Sequence, residues 1–210
     1  MPALKVVLAS NNPGKLKEFS HILSVAGIDM LAQGDLGVSE AEEPHLTFVE
    51  NALAKARHAS AQTGMPALAD DSGLCVRALH GAPGVYSARY AAMAGGEKSD
   101  KANNLHLVQA LKNHTDRGAR YVAVLVYVRH HEDPTPIVVQ GTWDGEIIDA
   151  PRGTNGFGYD AHFYVPSLGR TVAQLEPAEK NTLSHRGRAL QDLLKQLSAE
   201  LVSHDGQSPA

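Results

Sequence analysis

Cysteine is nearly absent: Cys75 is the only one in 210 residues. That excludes an intrachain disulfide and any zinc or iron–sulfur site built from several thiolates, and Cys75 itself is read as a small core residue at a strand start. Positive charge is not in excess either. Nineteen Lys and Arg against 23 Asp and Glu give a formal net charge of −4, so no polycationic surface invites nucleic acid or anionic lipid, and neither a nucleic-acid nor a membrane partner is expected. A local cluster would still suffice for a small anion. Long hydrophobic runs are missing. The apolar stretch near the N-terminus, Val6 to Ala9, is too short for a signal-peptide core or a membrane span, which makes a soluble, cytoplasmic protein the expectation.

There is no internal repeat and no composition break. What is present is an ordinary globular composition, 43% hydrophobic and 20% charged, in a length that suits one large domain or one fold with two lobes. A single domain over residues 1–203 is expected, followed by a small, polar, flexible tail at 204–210.

The first unit reads strand, loop, helix, strand. Lys5 to Ala9 is a short apolar run. Pro13 then suits a first helical turn, and Leu16, Phe19, Ile22, Leu23 and Ala26 recur at helical spacing before Gly27. Ile28 to Ala32 is the next strand, so the alternation predicts an α/β fold. Thr47 and Glu50 predict a capping box ahead of the alanine-rich stretch Asn51 to Ala61, closed by Gly64 and Pro66. Ala67 to Ala69 leads into Asp70-Asp71-Ser72-Gly73, with a further strand at Leu74 to Leu79. A glycine- and alanine-rich loop then covers 81–96, and a helix covers 100–113. Arg120 to Arg129 and Ile137 to Ile148 are β-like and separated by Glu-Asp-Pro-Thr-Pro, which predicts a hairpin and a mixed sheet. Leu190, Leu193, Leu194, Leu197 and Leu201 form the apolar stripe of a last helix capped by Ser184.

Four clusters carry candidate chemistry. Ser10-Asn11-Asn12-Pro13-Gly14-Lys15 lies between a strand and a helix, where free backbone N–H groups and the helix dipole favour an anion. It lacks the G-x-x-x-x-G-K-[ST] spacing of a P-loop. Asp70 and Asp71 are adjacent carboxylates at a strand end, which repel unless a cation or donor shares them; a hard ion such as Mg²⁺ fits, and a turn capped by its own side chains is the plainer reading. Ser72 lacks the G-x-S-x-G elbow of a hydrolase nucleophile. Glu40, Glu42 and Glu43 form a further acidic patch able to supply a metal ligand. Gly156-Phe157-Gly158-Tyr159-Asp160 brings glycines together with aromatic faces for stacking a nucleobase, although the G-x-G-x-x-G order is wrong for a dinucleotide fingerprint. Finally, Glu179-Lys180-Asn181 and Ser184-His185-Arg186 gather donors before the last helix. Phosphate cradle, metal carboxylates, aromatic platform and base-edge donors are together the parts needed to hold a nucleoside triphosphate.

These motifs, with Thr47-Phe48-x-Glu50-Asn51-Ala52 and Ala82-Pro-Gly-x-Tyr86-Ser-Ala-Arg89-Tyr90, give the chain its resemblance. It is similar to the inosine/xanthosine triphosphate pyrophosphatase family from about Lys5 to about Leu201. The resemblance implies an elongated α/β fold: a mixed twisted sheet flanked by helices, two lobes and a nucleotide cleft between them. It also implies a homodimer and Mg²⁺-dependent hydrolysis of (d)ITP and XTP to the monophosphate and pyrophosphate, cleansing the nucleotide pool. Residue by residue, it implies that Ser10 to Lys15 hold the triphosphate and that Asp71 is general base and metal ligand. Glu42, or the adjacent Glu43, would be the other metal ligand. Ser72, Phe157, Gly158, Tyr159, Asp160, Lys180, His185 and Arg186 would contact the nucleotide, mainly its base. The chain departs from the family in having Ser10 where threonine is frequent and Asn155 where glycine is common. The rival readings are a Maf-like nucleotide pyrophosphatase, against which the Ser184-His185-Arg186 and Gly-Phe-Gly-Tyr-Asp motifs argue, and a nucleotide sensor without turnover, against which Lys15, Asp70 and Asp71 argue.

Overall fold

The computed structural model describes the backbone of residues 3–205 and the side chains of 3–199. Seven strands form one mixed, twisted sheet: β1 (Leu4–Leu8), β2 (Ile28–Ala32), β3 (Ala67–Val76), β4 (Gly118–Val128), β5 (Ile137–Ile147), β6 (Phe163–Val165) and β7 (Arg170–Thr171). Their order is β2-β1-β3-β4-β5-β6-β7. β1 runs parallel to β2, with Leu4 opposite Ile28, and parallel to β3. β6 is antiparallel to β5 and to β7. The helices are α1 (Pro13–Leu23), α2 (Phe48–Thr63), α3 (Tyr90–Met93), α4 (Asp100–Ala110), α5 (Pro177–Leu183) and α6 (His185–Asp205).

Helix starts follow side-chain chemistry. Pro13 opens α1, where its missing N–H costs nothing, and Asn12 caps it. At α2 the Thr47 hydroxyl oxygen accepts from the Glu50 N–H (3.3 Å), as expected, but the Glu50 carboxylate takes the Thr47 hydroxyl proton (2.5 Å) instead of the backbone N–H, so half the capping box forms. Ser184 Oγ accepts from the Gly187 N–H (3.1 Å) and caps α6. Along α6, Leu190, Leu193 and Leu197 are buried and Leu194 is half-buried; the Leu201 side chain lies outside the described ones.

Several expectations are corrected. Asp70 and Asp71 stand at no strand end, nor do they open a turn: β3 is a single ten-residue strand running through them and ending at Val76, both carboxylates having cationic partners. Arg77–Leu79 is a 3₁₀ turn, not strand. The 81–96 loop contains a 3₁₀ segment at Gly84–Arg89 and then α3. Helix α4 stops at Ala110, short of Asn113. Of the expected tail, His204 and Asp205 belong to α6, and 206–210 lie outside the described residues.

The chain divides into two compact units, one made of Met1–Asp71, Val124–Gln140 and Arg188–Ala210, the other of Ser72–Ala123 and Gly141–Gly187. In the first, α1 packs on β2 and α2 on β1, burying Phe19 and Leu23 from α1 and Ala52, Ala56 and Ala59 from α2. Alanine at those three positions lets α2 approach the sheet closely. The second unit is built on Leu74, Leu107, Leu111, Tyr121, Trp143 and Phe163.

The 129–136 connection between β4 and β5 is organised by Asp133, which is 1% exposed. Its Oδ2 accepts from the Arg129 backbone N–H (3.0 Å) and guanidinium (2.7 Å), and its Oδ1 from the Thr135 N–H (2.9 Å). Burial pushes this carboxyl up, but those donors and the Arg129 charge together outweigh it and hold its pKa below the ordinary value. A depressed carboxyl stabilises the fold above its unfolded pKa, and that contribution fades as pH falls through the folded one. Asp133→Asn is therefore expected to cost about 1–3 kcal/mol at pH 7 in urea unfolding. The deficit should shrink as the pH is taken below the ordinary carboxylate range and toward the lowered native value; a pH-independent difference would argue against these donors as its source.

Candidate active site

In the first unit, the loop after β1 is shaped by its own side chains. Asn12 Oδ1 accepts from the Gly14 (2.9 Å) and Lys15 (3.2 Å) N–H groups, and Ser10 Oγ accepts from the Asn12 N–H (3.2 Å). This corrects the expectation of free backbone N–H groups: an N-cap competes for those donors and wins. The arrangement turns the loop's offering to side chains instead. With their oxygens engaged as acceptors, Ser10 keeps a hydroxyl proton to donate and Asn12 its NH₂ group. Asn11 donates through Nδ2 to Glu40 Oε1 (3.1 Å), which ties the acidic loop to this one. Lys15 Nζ lies 2.7 Å from Asp70 Oδ2.

Asp70 and Asp71 are both buried. Strand alternation sends adjacent side chains to opposite faces, and each has a lysine within ion-pair distance. Asp70 pairs with Lys15 of α1, and Asp71 pairs with Lys55 of α2 (3.0 Å). The Lys55 ammonium also holds Glu43 Oε1 at 2.7 Å. Burial raises the Asp71 carboxyl above its usual range; Lys55 opposes that rise without cancelling it, because Glu43 and Asp70 add negative charge. Burial works to lower Lys55, yet three surrounding carboxylates, Asp71 foremost, leave it raised. Asp71 Oδ2 is buried and has no hydrogen-bond partner among the described residues.

The acidic loop is positioned by Asn51, itself 1% exposed, which accepts from the His45 N–H (3.1 Å) and donates to the His45 carbonyl (3.2 Å). That explains the asparagine of the Thr47–Ala52 motif. Glu43 is half-buried on Lys55, whereas Glu42 is exposed. Among the described residues, no group of three His, Cys, Asp or Glu side chains is gathered closely enough to hold a metal ion. The donor set still fits a hard divalent ion, which uses one or two carboxylates and completes its shell with water and phosphate oxygens; Asp71 Oδ2 is a buried oxygen waiting for such a partner.

In the second unit the hub is Asp160, 4% exposed. Oδ2 accepts from Lys180 Nζ (2.5 Å) and the Phe157 N–H (3.0 Å), and Oδ1 accepts from the Tyr121 hydroxyl (3.1 Å). Gly156 has φ +77, and a side chain there would collide with the Asp160 carboxylate. The Phe157 ring is 57% exposed, with Lys180 Nζ 4.8 Å from its centroid. Tyr159 instead is buried, its hydroxyl donating to the Ser87 carbonyl (2.8 Å), so of the two aromatic residues only Phe157 offers a face. His185 is stacked on Tyr121 (centroids 4.7 Å, planes 11° apart), and Arg186 Nη2 donates to Ser72 Oγ (3.1 Å). Asn155, the departure from the family pattern, donates to the Leu175 carbonyl (3.0 Å).

The residues expected at a site thus form two sets: Ser10 to Lys15 and Asp71, with Glu43 closer than Glu42, in the first unit; Ser72, Phe157 to Asp160, Lys180, His185 and Arg186 in the second. Two members were not anticipated. Lys55 sits one helical turn beyond Asn51 on α2, flanked on the same face by Ala52 and Ala59, and a lysine beside buried alanines was the available signal. Tyr121 reads as an ordinary strand aromatic, and nothing local points to a carboxylate 39 residues away. Burial, reinforced by Asp160, holds its phenol well above the usual range, so it remains a hydrogen-bond donor at any working pH.

A model described as the Ham1 family matches residues 6–196. The chain is 65% identical over 193 residues to a protein of Ralstonia nicotianae named dITP/XTP pyrophosphatase, covering 92% of this chain and 96% of that one. It is 53% identical over 194 residues to a protein of that name from Neisseria meningitidis, covering 92% and 96%. Among solved structures it is similar to a HAM1 protein from Coxiella burnetii (TM-score 0.88, 47% identity, 93% of this chain and 99% of that one). The Ham1 protein of Staphylococcus aureus gives 0.84 and 42% over the same shares.

Lys55→Met would leave Asp71 buried without its counter-charge. Unfolding in urea at pH 7 is expected to lose about 3 kcal/mol, the low end for breaking a buried pair, since Glu43 retains water access. Lys55→Arg should lose clearly less, and equal losses would argue that packing, not charge, is at stake.

Proposed function

Because this chain belongs to the Ham1 family, we propose that it hydrolyses deaminated purine nucleoside triphosphates, dITP, ITP and XTP, to the monophosphate and pyrophosphate, and so clears them from the nucleotide pool. It is a nucleoside triphosphate pyrophosphatase. The observation that carries the chemistry is Asp71, a buried carboxylate with one oxygen on Lys55 and the other without a protein partner among the described residues.

In this reading a water attacks the α-phosphorus, its proton passes to Asp71, and the bond to the bridging oxygen breaks with departure of pyrophosphate. A carboxyl that burial raises above its usual range is a better base than an exposed aspartate, and the Lys55 ammonium favours its charged form and holds its orientation. Ser10, Asn12 and Lys15 donate to the triphosphate, with Asn11, Pro13 and Gly14 setting the loop that presents them. Mg²⁺ is the proposed cofactor, with Asp71 and Glu43 or Glu42 as its protein ligands; when bound, it would neutralise phosphate charge and acidify water. In the second unit Phe157 offers a face for the purine, such a stack being worth roughly 1–3 kcal/mol. Lys180 and Arg186 carry only donors. They match the 6-keto oxygen of hypoxanthine or xanthine and meet the 6-amino group of adenine donor to donor, the kind of mismatch that rejects an analogue strongly. His185 is held by its stack on Tyr121, Ser72 by Arg186, and Asp160 holds Lys180 in place. Gly158 and Tyr159 complete the loop. The resemblance supports a homodimer, and a substrate drawn from the nucleotide pool supports a cytoplasmic location. Among the described residues no helix is long and apolar enough to cross a membrane.

The test is a panel of dITP, XTP, GTP, ATP, dTTP and UTP with Mg²⁺, measuring pyrophosphate separately from orthophosphate. Pyrophosphate from dITP and XTP is expected; orthophosphate release, or preference for the pyrimidines, would overturn the reading. Asp71→Asn should lower kcat by roughly 10²–10⁴-fold, the usual contribution of a positioned base, and activity within a few-fold of the native enzyme would remove Asp71 from that role.

A further inference from the structure

Both backbone polar groups of Gly158 are held by one helix that carries none of the residues assigned above. The Gly158 N–H donates to Asp100 Oδ2 (2.7 Å), and the Gly158 carbonyl accepts from Asn104 Nδ2 (2.7 Å). Asp100 and Asn104 are four apart on α4, one above the other on one face, and Asn104 Nδ2 also donates to the Asp100 carbonyl (2.8 Å). The helix is itself fixed. Ser99 caps it through the Ala102 N–H (3.2 Å), Asn103 bonds the Ala91 N–H and the Ala88 carbonyl, and Leu107 is wholly buried. The grip on Gly158 has a cost: Asn104 Oδ1 is buried and has no hydrogen-bond partner among the described residues. Both amide protons are delivered while the oxygen goes unmatched, an arrangement folded proteins rarely keep.

What the grip controls is the preceding residue. Phe157 is 57% exposed, so core packing does little to decide where its ring points; beside the Lys180 ammonium 4.8 Å from the ring centroid, that falls to the backbone on either side. On one side the Phe157 N–H is tied to Asp160. On the other, Gly158 adopts a left-handed φ of +61, a conformation glycine enters easily and leaves as easily. Asp100 and Asn104 remove that freedom at both ends of the residue.

We propose that Asp100 and Asn104 are positioning residues for recognition of the purine: through Gly158 they fix the face that Phe157 presents to the base. The inference rests on the reading of Phe157 as the stacking platform. A platform fixed in advance spares the ordering cost on binding, so its loss appears in affinity for the base and not in the chemical step.

The experiment compares Asp100→Ala, Asn104→Ala, Asp100→Asn and Phe157→Ala, in the full chain, with thermal melting as a check on folding. Calorimetric titration with inosine monophosphate in the absence of metal reads recognition of the base without the metal or the polyphosphate, and KM and kcat for dITP are measured beside it. Asp100→Ala and Asn104→Ala are each expected to weaken inosine monophosphate roughly fivefold, the size of one net hydrogen bond, and to raise KM in step with kcat little changed. Asp100→Asn keeps an oxygen that accepts the Gly158 N–H and should restore native affinity. If Asp100→Ala binds as the native chain does while Phe157→Ala binds weakly, the positioning role falls and the platform stands. Equal damage from Asp100→Asn and Asp100→Ala would also overturn the role, by pointing to charge at the helix start. If Phe157→Ala itself binds normally, the platform reading fails and the inference with it.

Discussion

Two neighbouring carboxylates buried in one strand are the constraint around which the first unit is arranged. An ionised aspartate away from water needs a cation or several donors, and β3 carries two in succession. The pleat separates them to opposite faces, so the fold must bring a lysine to each: Lys15 from the first turn of α1, Lys55 from the middle of α2. Much else follows. The cap at Asn12 starts α1 where Lys15 can reach Asp70. The alanines of α2 let that helix lie close enough for Lys55 to reach Asp71. The clasp of Asn51 on His45 brings the acidic loop near, and Glu43 then shares the Lys55 ammonium.

The second unit solves a related problem with a different economy. One carboxylate, Asp160, takes donors from a lysine, a tyrosine and a backbone N–H, and each donor does something besides stabilise it. Lys180 lies over the exposed Phe157 ring, Tyr121 stacks on His185, and the Phe157 N–H shapes the loop. A network with every member tied in this way is stiff, which suits the proposed role of meeting the edge and face of a flat base. The grip of α4 on Gly158 extends the same stiffness to the exposed Phe157 ring.

Several features of the motifs acquire physical reasons. Glycine at 156 is required because any side chain would displace Asp160. Serine at 10 keeps the acceptor toward the Asn12 N–H and a proton to donate, so its difference from threonine removes no chemical group. Asparagine at 155 adds a tether to Leu175.

The linear order of residues was enough to predict the α/β alternation, the caps at Thr47 and Ser184, the buried stripe of α6 and the candidate residues of the site, because these depend on spacing within a turn or a strand and on residue chemistry that is local. It was enough, too, to mark Asp71, Lys180 and Arg186 as chemically loaded. Tertiary structure alone decided that Asp70 and Asp71 lie within a strand instead of a turn, since that depends on lysines 16 and 55 residues away in the chain. It alone decided that Glu43 and not Glu42 meets Lys55 and that Tyr121 holds Asp160 and His185. Each of those outcomes is a competition between partners distant in sequence, settled by which of them the packed helices and strands bring within hydrogen-bond reach.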